Sequence, residues 1–212
     1  MPELPEVETV VRDLRGLVVG ARIAAGRVAW PRTLRSGDPE AFNRAVVGRE
    51  IGATSRRAKL VVLELDDGAA ITIHLKMTGQ LFVVRHGQPD DPYVRLVLVF
   101  EDGRELRFRD IRKFGRVGVA GRNAATGDLE GDLGGPKGFR GFGPEPLDPG
   151  FSQRLFTRRL RGHRGRLKPL LMDQSFVAGV GNIYADEALW SARLHPLRSA
   201  ASLRPADAGR LY

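Results

Sequence analysis

The chain has 212 residues and carries 34 Lys and Arg against 25 Asp and Glu, a formal net charge of +9. Its 42% hydrophobic content is typical of a globular protein and excludes a disordered chain, and it contains no cysteine for disulfides or thiolate metal sites. No apolar run approaches the roughly 18 residues of a membrane helix, and Glu8 and Asp13 interrupt the only early apolar stretch, so we expect a cytoplasmic protein without a signal peptide.

The predicted elements start with a helix and continue as β-strands. Apolar side chains recur at helical spacing over one short segment, at Val7, Val10, Val11 and Leu14. Pro5 lies near the start of this helix and Gly16 at its end. Short β-branched runs follow at residues 60–65, 70–75, 81–84, 95–100 and 106–110, with hairpin signals at residues 66–68 (DDG) and 101–103 (EDG). Several short antiparallel strands predict a β-sandwich.

A Gly- and Pro-rich stretch then interrupts the pattern. Residues 121–150 contain nine Gly and four Pro, and residues 134–150 have the composition of a loop. The charge balance changes at the same place, because residues 151–212 hold 11 basic and 4 acidic side chains whereas residues 1–150 are nearly neutral. We therefore expect a first domain at residues 1–133, a hinge at residues 134–150 and a second, polyanion-binding domain at residues 151–212. A solubilising surface is an equally good explanation of the charge.

The segment after the hinge has helical patterns. Helices are predicted at residues 151–161, 167–172 and 183–193. Ser202 and Pro205 are typical of a further helix start with Ser202 as the cap, but only seven residues follow Pro205. A helix this short is marginal alone, so we expect a fragment that continues beyond Tyr212. A frayed natural terminus is the alternative. The elements together predict an α+β protein, an antiparallel β-sandwich with a leading helix followed by a helical domain.

The N-terminus has residues suited to amine catalysis. Removal of Met1 would leave Pro2 with a free secondary amine, and an α-amino group with a pKa of about 7.7–8 is partly neutral at physiological pH. Such an amine can attack an electrophilic carbon and form a cationic imine, and the neighbouring Glu3 can transfer a proton. Taken alone, these residues are explained more simply as an ordinary helix start.

The second domain has the residue types of a phosphate-binding surface. Seven cations crowd one segment without acidic residues, at Arg154, Arg158, Arg159, Arg161, Arg164, Arg166 and Lys168. Residues 177–182 (VAGVGN) then place glycines and Asn182, a good helix cap, before a predicted helix whose free N–H groups suit a phosphate. A solvated helix face and a glycine-packed helical corner are the alternatives.

Two further segments place cations beside strands. Lys59 precedes the run at residues 60–65, and Phe114 lies among the cations of residues 112–116 (RKFGR). A ring flanked by cations can wedge into a base stack while the cations hold phosphates. A strand-end core phenylalanine among solvated cations is an equally good explanation.

Taken together, these segments resemble a known family. The order PELPEVE, RRAKLVVLEL, IHLKMTGQL, DIRKFGR, GPEPL, LKPLLMDQ, VAGVGNIYADEAL and HP is similar to that of bacterial formamidopyrimidine-DNA glycosylase over residues 1–196. The opening and the GVGNIYADEAL segment are highly specific, and Leu4 favours this branch over the related endonuclease VIII. The resemblance implies a monomeric, nucleoid-associated repair enzyme with a helix–two-turns–helix domain. Such an enzyme removes oxidised purines, 8-oxoguanine and formamidopyrimidines, from damaged double-stranded DNA and also acts as an AP lyase.

The resemblance also implies roles for individual residues. Pro2 would attack the sugar, expel the base and form a Schiff base, while Glu3 would protonate the sugar ring oxygen. Lys59 would support proton transfer in base loss and in β-elimination. Glu6 would organise the site around the lesion, whose nucleotide must leave the base stack to be reached.

Further residues would contact DNA by the same resemblance. Met77 would fill the void left by the flipped nucleotide, Arg112 would pair with the orphaned cytosine and Phe114 would wedge between bases. Residues of both domains would hold the phosphates that bracket the lesion, namely His74, Arg164, Lys168 and Asn182. Tyr93 stands where the family often has a histidine, which weakens one phosphate contact.

The chain also departs from the family. The family ends in a four-cysteine zinc finger, whereas this chain has no cysteine, so we expect neither a metal nor another cofactor in it. The region of the loop that caps the flipped base is absent as well. Two alternatives therefore stay open, a non-catalytic remnant that binds damaged DNA and an endonuclease VIII-like enzyme for oxidised pyrimidines.

Overall fold

The computed structural model describes residues 1–85, 87–89, 91–131 and 139–212. The chain divides into two compact units, Met1–Gly134 and Gly135–Tyr212. Residues 134–138 of the predicted hinge at residues 134–150 lie outside the described residues. The expected domain boundaries stay a prediction. Among the described residues, no helix is both long and apolar enough to span a bilayer.

The N-terminal unit combines helices with two antiparallel sheets. Its helices are α1 (Leu4–Val18) and α2 (Pro39–Val46), with a 3-10 turn at Pro31–Thr33. Its strands are β1 (Ile23–Val28), β2 (Ile51–Arg57), β3 (Leu60–Leu65), β4 (Ala70–His74), β5 (Gly79–Arg85), β6 (Val94–Phe100), β7 (Arg104–Asp110), β8 (Arg116–Arg122) and β9 (Leu129–Glu130). The strand orders are β1-β6-β7-β5 and β2-β3-β4-β8-β9. The predicted α+β class, with an antiparallel sandwich and a leading helix, is confirmed.

One hydrophobic core joins α1 to both sheets. The helix contacts β2, β3 and β5, and its apolar face includes the buried Val7 and Val11. Leu63 of β3 and Leu98 of β6 come from different sheets and belong to the same core. Burial of each such side chain contributes about 1.5–3 kcal/mol. This core fixes the start of α1 and the strand ends that carry the candidate site.

Strands β1, β2, β8 and β9 and helix α2 were not predicted, and β2 and β8 show the reason. The segments IGATSRR of β2 and RVGVAGR of β8 mix glycine with charged residues. Pairing stabilises them instead, because β2 lies against β3 and β8 lies against β4, with Val117 opposite Ile73. The first helix also runs two residues past Gly16, the predicted end, because Val18 is fully buried in the core.

The C-terminal unit is helical, as predicted. Its helices are α3 (Gln153–Arg161), α4 (Leu167–Met172), α5 (Asn182–Ser191) and α6 (Pro205–Leu211), with a 3-10 turn at Ala200–Ser202. A separate core that includes Phe156, Leu160, Leu171, Phe176 and Leu189 packs these helices together.

Two helix caps of this unit differ from the prediction. Gly181 is the N-cap of α5, and Asn182 is the first residue of the helix. The predicted cap Ser202 instead ends a 3-10 turn, where its hydroxyl donates to the Ser199 carbonyl oxygen at 2.8 Å. Arg204 is the N-cap of α6. The residue types that favour a helix start thus predicted the segments in which α5 and α6 begin but not the N-cap residues themselves.

The carboxylate of Asp207 anchors the last helix. It is fully enclosed and accepts hydrogen bonds from Arg210 Nη2 at 2.7 Å, Arg198 Nη2 at 2.8 Å and Arg204 Nε at 3.3 Å. Hydrogen bonds from Arg204, and also from Arg210 and Arg198, hold the pKa of Asp207 well below its usual range. The charged form of Asp207 is therefore the one that stabilises the fold.

Replacing Asp207 with Asn should lower the melting temperature at neutral pH, because the amide cannot balance the surrounding arginines. The stabilisation by Asp207 is fully present above the pKa of an unfolded aspartate, about 3.9. It is lost as the pH falls through the lower pKa of the folded state. Thermal unfolding followed by circular dichroism should therefore show a difference between the two proteins that shrinks in acid.

The matched control is Asp148→Asn. Asp148 is exposed, and among the described contacts its carboxylate accepts only the Gly150 N–H, at 2.7 Å. Its replacement should change the melting temperature much less than Asp207→Asn. If the melting temperature of Asp207→Asn is lower than that of the unmodified protein by the same amount at neutral pH and in acid, the charged form of Asp207 is not what stabilises the fold.

Candidate active site and nucleic-acid interface

The start of α1 fixes the residues predicted to carry the chemistry. Pro2 is half-buried directly before the helix, and Glu3 is its N-cap with only 1% of its surface exposed. Glu3 and Glu6 form a capping box, in which Glu6 Oε2 accepts the Glu3 N–H at 2.9 Å. The backbone of Glu3 is therefore held firmly, and Pro2 is held with it.

Lys59 lies in the turn between β2 and β3 and is 8% exposed. The preceding Ala58 has a φ of +52°, in the left-handed region. Burial lowers the pKa of the Lys59 amine, and the charge of Lys76 lowers it further, while the Glu3 carboxylate acts in the opposite direction. Glu3 and Lys59 thus share one electrostatic environment. An amine of lowered pKa can exchange a proton nearer neutral pH than an ordinary lysine.

His74 ends β4 among cations. It lies opposite Arg116 in the β4–β8 ladder, and its Nδ1 accepts the Lys76 N–H at 3.1 Å. Burial, followed by the charges of Lys76, Arg35 and Lys59, lowers the pKa of His74 to about 3. Because Nδ1 accepts a hydrogen bond, the single proton of the neutral ring is on Nε2. His74 is therefore a neutral N–H donor set in a positive environment.

Met77, Arg112 and Phe114 form an exposed group on the turns after β4 and β7. Met77 and Phe114 expose 45% and 47% of their surfaces. The guanidinium of Arg112 joins them, because Nη1 is 3.1 Å from Met77 Sδ and Cζ is 4.8 Å from the Phe114 ring centroid. The structure thus brings together three residues predicted to enter the base stack, and we call them the wedge.

A buried carboxylate fixes the backbone beneath the wedge. Asp110 Oδ2 accepts the Gly115 N–H at 2.7 Å, and Oδ1 accepts the Arg112 N–H at 3.2 Å and the Thr78 hydroxyl. Gly115 is required here, because a Cβ on it would lie 2.3 Å from Cζ of the buried Phe108. Asp110 and Thr78 were missed as positioning residues, since only the pairing of β5 with β7 brings them together.

Tyr93 lies next to the same strand end. Its carbonyl oxygen accepts the Asp110 N–H at 2.9 Å. Its partly exposed ring lies 5.1 Å from Arg109 Cζ and 5.7 Å from Arg95 Cζ, so two guanidinium groups contact it. Its predicted contact with phosphate stays a prediction.

The predicted phosphate-binding residues of the C-terminal unit lie on three adjacent segments. Arg164 is exposed between α3 and α4, Lys168 is on α4, and Asn182 is exposed at the start of α5. Lys168 Nζ donates to Asp186 Oδ2 at 2.8 Å, which links α4 to α5 one turn after Asn182. Asp186 therefore holds Lys168 beside the helix that begins with Asn182.

A glutamine that was not predicted as a functional residue orders the turn before Asn182. Gln174 Oε1 accepts the Gly179 N–H at 2.9 Å, and its Nε2 donates to the Val180 carbonyl oxygen at 2.7 Å. Gly179 has a φ of +86°, which favours glycine. The LKPLLMDQ segment contains Gln174, but nothing in its spacing shows that the side chain folds back on the glycine turn.

The side chains of the site offer no metal centre among the described residues. Within the described ranges, no three His, Asp or Glu side chains cluster closely enough to hold a metal ion. The chain has no cysteine, so it offers no ligands for the structural zinc that the resemblance implies.

Replacing Asp110 with Ala should destabilise the N-terminal unit by about 3 kcal/mol or more, because three donors lose a charged acceptor in a buried place. Chemical denaturation measures this loss. Asp102→Ala is the matched control, since Asp102 lies in the exposed turn of the neighbouring hairpin and pairs with Arg104. It should cost less than about 1 kcal/mol. Equal losses for the two variants would show that Asp110 is not a buried anchor.

His74 should stay neutral throughout the physiological range. Long-range ¹H–¹⁵N NMR should show the Nε2–H tautomer and no titration near the ordinary histidine pKa of about 6.5. Below that pH the unfolded chain binds a proton that the folded chain binds only near a pKa of about 3, so this residue reduces stability as the pH falls. His74→Gln should weaken that pH dependence. A His74 titration midpoint near neutrality would refute the assignment.

Comparisons with known proteins agree with the geometry. The family model of the formamidopyrimidine-DNA glycosylase N-terminal domain matches residues 1–117, and that of the H2TH domain of the same enzyme matches residues 142–212. The formamidopyrimidine-DNA glycosylase of Herpetosiphon aurantiacus is 45% identical over 213 residues, covering 100% of this chain and 74% of that protein. The enzyme of Enterococcus faecalis is 40% identical over 215 residues, covering 100% of this chain and 72% of its own length.

Solved structures give the same result. The Lactococcus lactis Fpg in complex with DNA containing an abasic site has a TM-score of 0.84 and 32% identity, covering 99% of this chain and 73% of that one. The Lactococcus lactis complex with DNA containing FAPY-dG has a TM-score of 0.84 and 32% identity, covering 99% of this chain and 75% of the other. The chain therefore belongs to the formamidopyrimidine-DNA glycosylase family.

Proposed function

We propose that this DNA glycosylase removes oxidised purines, 8-oxoguanine and formamidopyrimidines, from duplex DNA and then cleaves the strand as an AP lyase. The observation that carries the proposal is the arrangement at the start of α1, where Pro2 adjoins the enclosed Glu3 and Glu3 acts on the buried Lys59 amine. A nucleophilic amine, a carboxyl group and an amine of lowered pKa are the groups that this chemistry needs.

Base removal would start at Pro2. Met1 is exposed, and its removal would leave the secondary amine of Pro2. The nitrogen lone pair attacks C1′ of the damaged nucleotide, the bond from C1′ to the base breaks, and the base leaves with the bonding electrons and takes up a proton. The Pro2 nitrogen then loses its own proton. Lys59, with its lowered pKa, supports these proton transfers.

Strand cleavage would follow from the covalent intermediate. The lone pair of the Pro2 nitrogen forms the C1′–N double bond as the C1′–O4′ bond breaks, and O4′ takes a proton from Glu3. The resulting iminium acidifies C2′, which loses a proton as the C3′–O3′ bond breaks. Lys59 serves as the base in this elimination. Glu6 is exposed at the first turn of α1 and organises the site around the lesion.

The wedge would hold the duplex open. Extrusion of a nucleotide costs a few kcal/mol of unstacking, and inserted apolar side chains offset part of this. Phe114 and Met77 are already exposed for insertion, and the Arg112 guanidinium between them carries donors for the orphaned cytosine. His74, Arg164, Lys168 and Asn182 bind phosphates. The protein acts as a monomer.

Borohydride should trap the protein on a duplex that contains 8-oxoguanine, because reduction of the iminium makes the bond between Pro2 and the sugar permanent. The Pro2→Gly variant should lose the adduct or form much less of it, as denaturing gel electrophoresis would show. Pro39→Gly, at the start of α2, is the matched control and should give a normal adduct.

Glu3→Gln should release little or no cleaved strand, since the amide cannot protonate O4′. A protein with intact Pro2 that binds damaged duplex but forms no adduct would contradict the mechanism and favour a non-catalytic binding protein. Faster adduct formation on an oxidised pyrimidine than on 8-oxoguanine would contradict the substrate assignment alone.

A further inference from the structure

Three arginines form a ridge along α3. Arg154, Arg158 and Arg161 are spaced i, i+4 and i+7, and all three are exposed and line one shallow groove. The opposite face of the helix places Phe156 and Leu160 in the core. We call the three arginines the α3 ridge.

The α3 ridge is distinct from the other cations of the same segment. Arg159 turns the other way, donating from Nε to the Phe176 carbonyl oxygen at 3.1 Å and from Nη2 to the Ser175 carbonyl oxygen at 2.8 Å. Arg164 and Lys168 lie beyond the end of the helix. The seven cations of the sequence are thus divided among the structural residue Arg159, the α4 N-cap Arg166, the predicted phosphate-binding pair Arg164 and Lys168, and a ridge that the proposed mechanism does not use.

The α3 ridge has no counter-charge of its own. In the part of the chain that the structure describes, no carboxylate pairs with it, and residues 151–172 contain no acidic residue. Exposed arginines of the N-terminal unit commonly have such a partner, as in the pairs Arg12–Glu8, Arg22–Glu50, Arg49–Asp67 and Arg122–Glu64. The ridge therefore differs from an ordinary solvated surface of this protein.

The arrangement is unfavourable for an isolated helix. Like charges at i, i+4 destabilise a helix by a few tenths of a kcal/mol. Arg154 lies in the first turn of α3, where the helix macrodipole favours negative charge, and no acidic residue occupies that turn. A polyanion would relieve both effects.

We propose that the α3 ridge is an additional binding surface for the phosphate backbone of duplex DNA. The proposal rests on the proposed function and extends its DNA contacts beyond the predicted residues. Arg154 and Arg161 are seven positions apart, which is about 10 Å along the helix axis, whereas duplex DNA carries one charge per about 1.7 Å, so the ridge faces several phosphates. Only two residues separate Arg161 from the predicted phosphate-binding Arg164, which makes the two surfaces continuous along the chain.

The composition of the ridge selects the duplex over other polyanions. Surfaces for single-stranded nucleic acid add aromatic rings on which bases stack, and the groove along the ridge contains only Gln153 and Thr157 besides the arginines. A helix that lies on a membrane presents an apolar face to the lipid, whereas the apolar face of α3 is buried in the core. Backbone contacts of this kind add affinity without reading sequence.

The test compares two triple variants of the full chain that lose the same charge. One is Arg154→Gln, Arg158→Gln and Arg161→Gln. The matched control is Arg15→Gln, Arg44→Gln and Arg85→Gln, three exposed arginines of the N-terminal unit. Fluorescence anisotropy with an undamaged duplex over a series of salt concentrations gives the affinity and its salt dependence.

The ridge variant should bind at least about tenfold more weakly at about 0.1 M salt, and the slope of log affinity against log salt should shrink by about 0.9 for each lost phosphate contact. The control should keep the slope of the unmodified protein. Equal slopes for the ridge variant and the control would overturn the proposal, as would a loss of binding to single-stranded RNA with duplex binding unchanged.

Two further measurements separate this inference from the proposed function and from misfolding. The melting temperature of the ridge variant should not fall, because like-charge repulsion is removed. Borohydride trapping by the unmodified protein tests the catalytic proposal by itself. If the unmodified protein forms no adduct with damaged DNA but the salt slope shrinks in the ridge variant, the catalytic proposal is refuted and the ridge proposal is supported. If the unmodified protein forms the adduct but the salt slope is unchanged in the ridge variant, the ridge proposal is refuted and the catalytic proposal is supported.

Discussion

The crowding of positive charge at the end of β4 is the constraint on which the candidate site depends. Lys59, Lys76 and Arg35 all act on His74, and the Glu3 carboxylate balances only part of this charge at Lys59. Desolvated cations cost free energy, so the fold keeps them together only because the helix cap, the hairpin turns and the core fix the backbone around them. The imbalance that remains favours an anion, and a phosphate of the proposed DNA substrate would supply one.

Single side chains with several hydrogen bonds fix turns and helix starts in both units. Asp110 accepts from two turns at the wedge, Gln174 orders the glycine turn before α5, and Asp207 gathers three arginines at α6. Asp110 and Asp207 each accept from several donors, whereas Gln174 accepts one backbone N–H and donates to the Met172 and Val180 carbonyl oxygens. A short loop thereby gains a defined shape without a core of its own. Precise placement of exposed residues such as Phe114 follows from these enclosed groups.

The sequence was sufficient for the features that depend on local pattern. Strand β3 and helix α4 follow directly from their apolar runs, and the N-terminal residues were recognised by their order along the chain. Strands β2 and β8 were not predicted, because long-range pairing rather than propensity stabilises them. The role of Asp110 depends on the same kind of pairing. The different roles of the clustered arginines could not be predicted, because they depend on where α3 begins and hence on which arginines lie on the same face of the helix.

The contacts of Arg112 have a consequence for the search for damage. Its guanidinium already lies against the Phe114 ring and the Met77 sulfur within the protein itself. An arginine that is ordered in advance loses less rotamer entropy when it enters a duplex. If the wedge enters DNA as proposed, more of its interaction energy remains to separate the bases of a weakened pair, so it would respond to the stacking strength of the DNA before the sugar of a flipped nucleotide reaches Pro2.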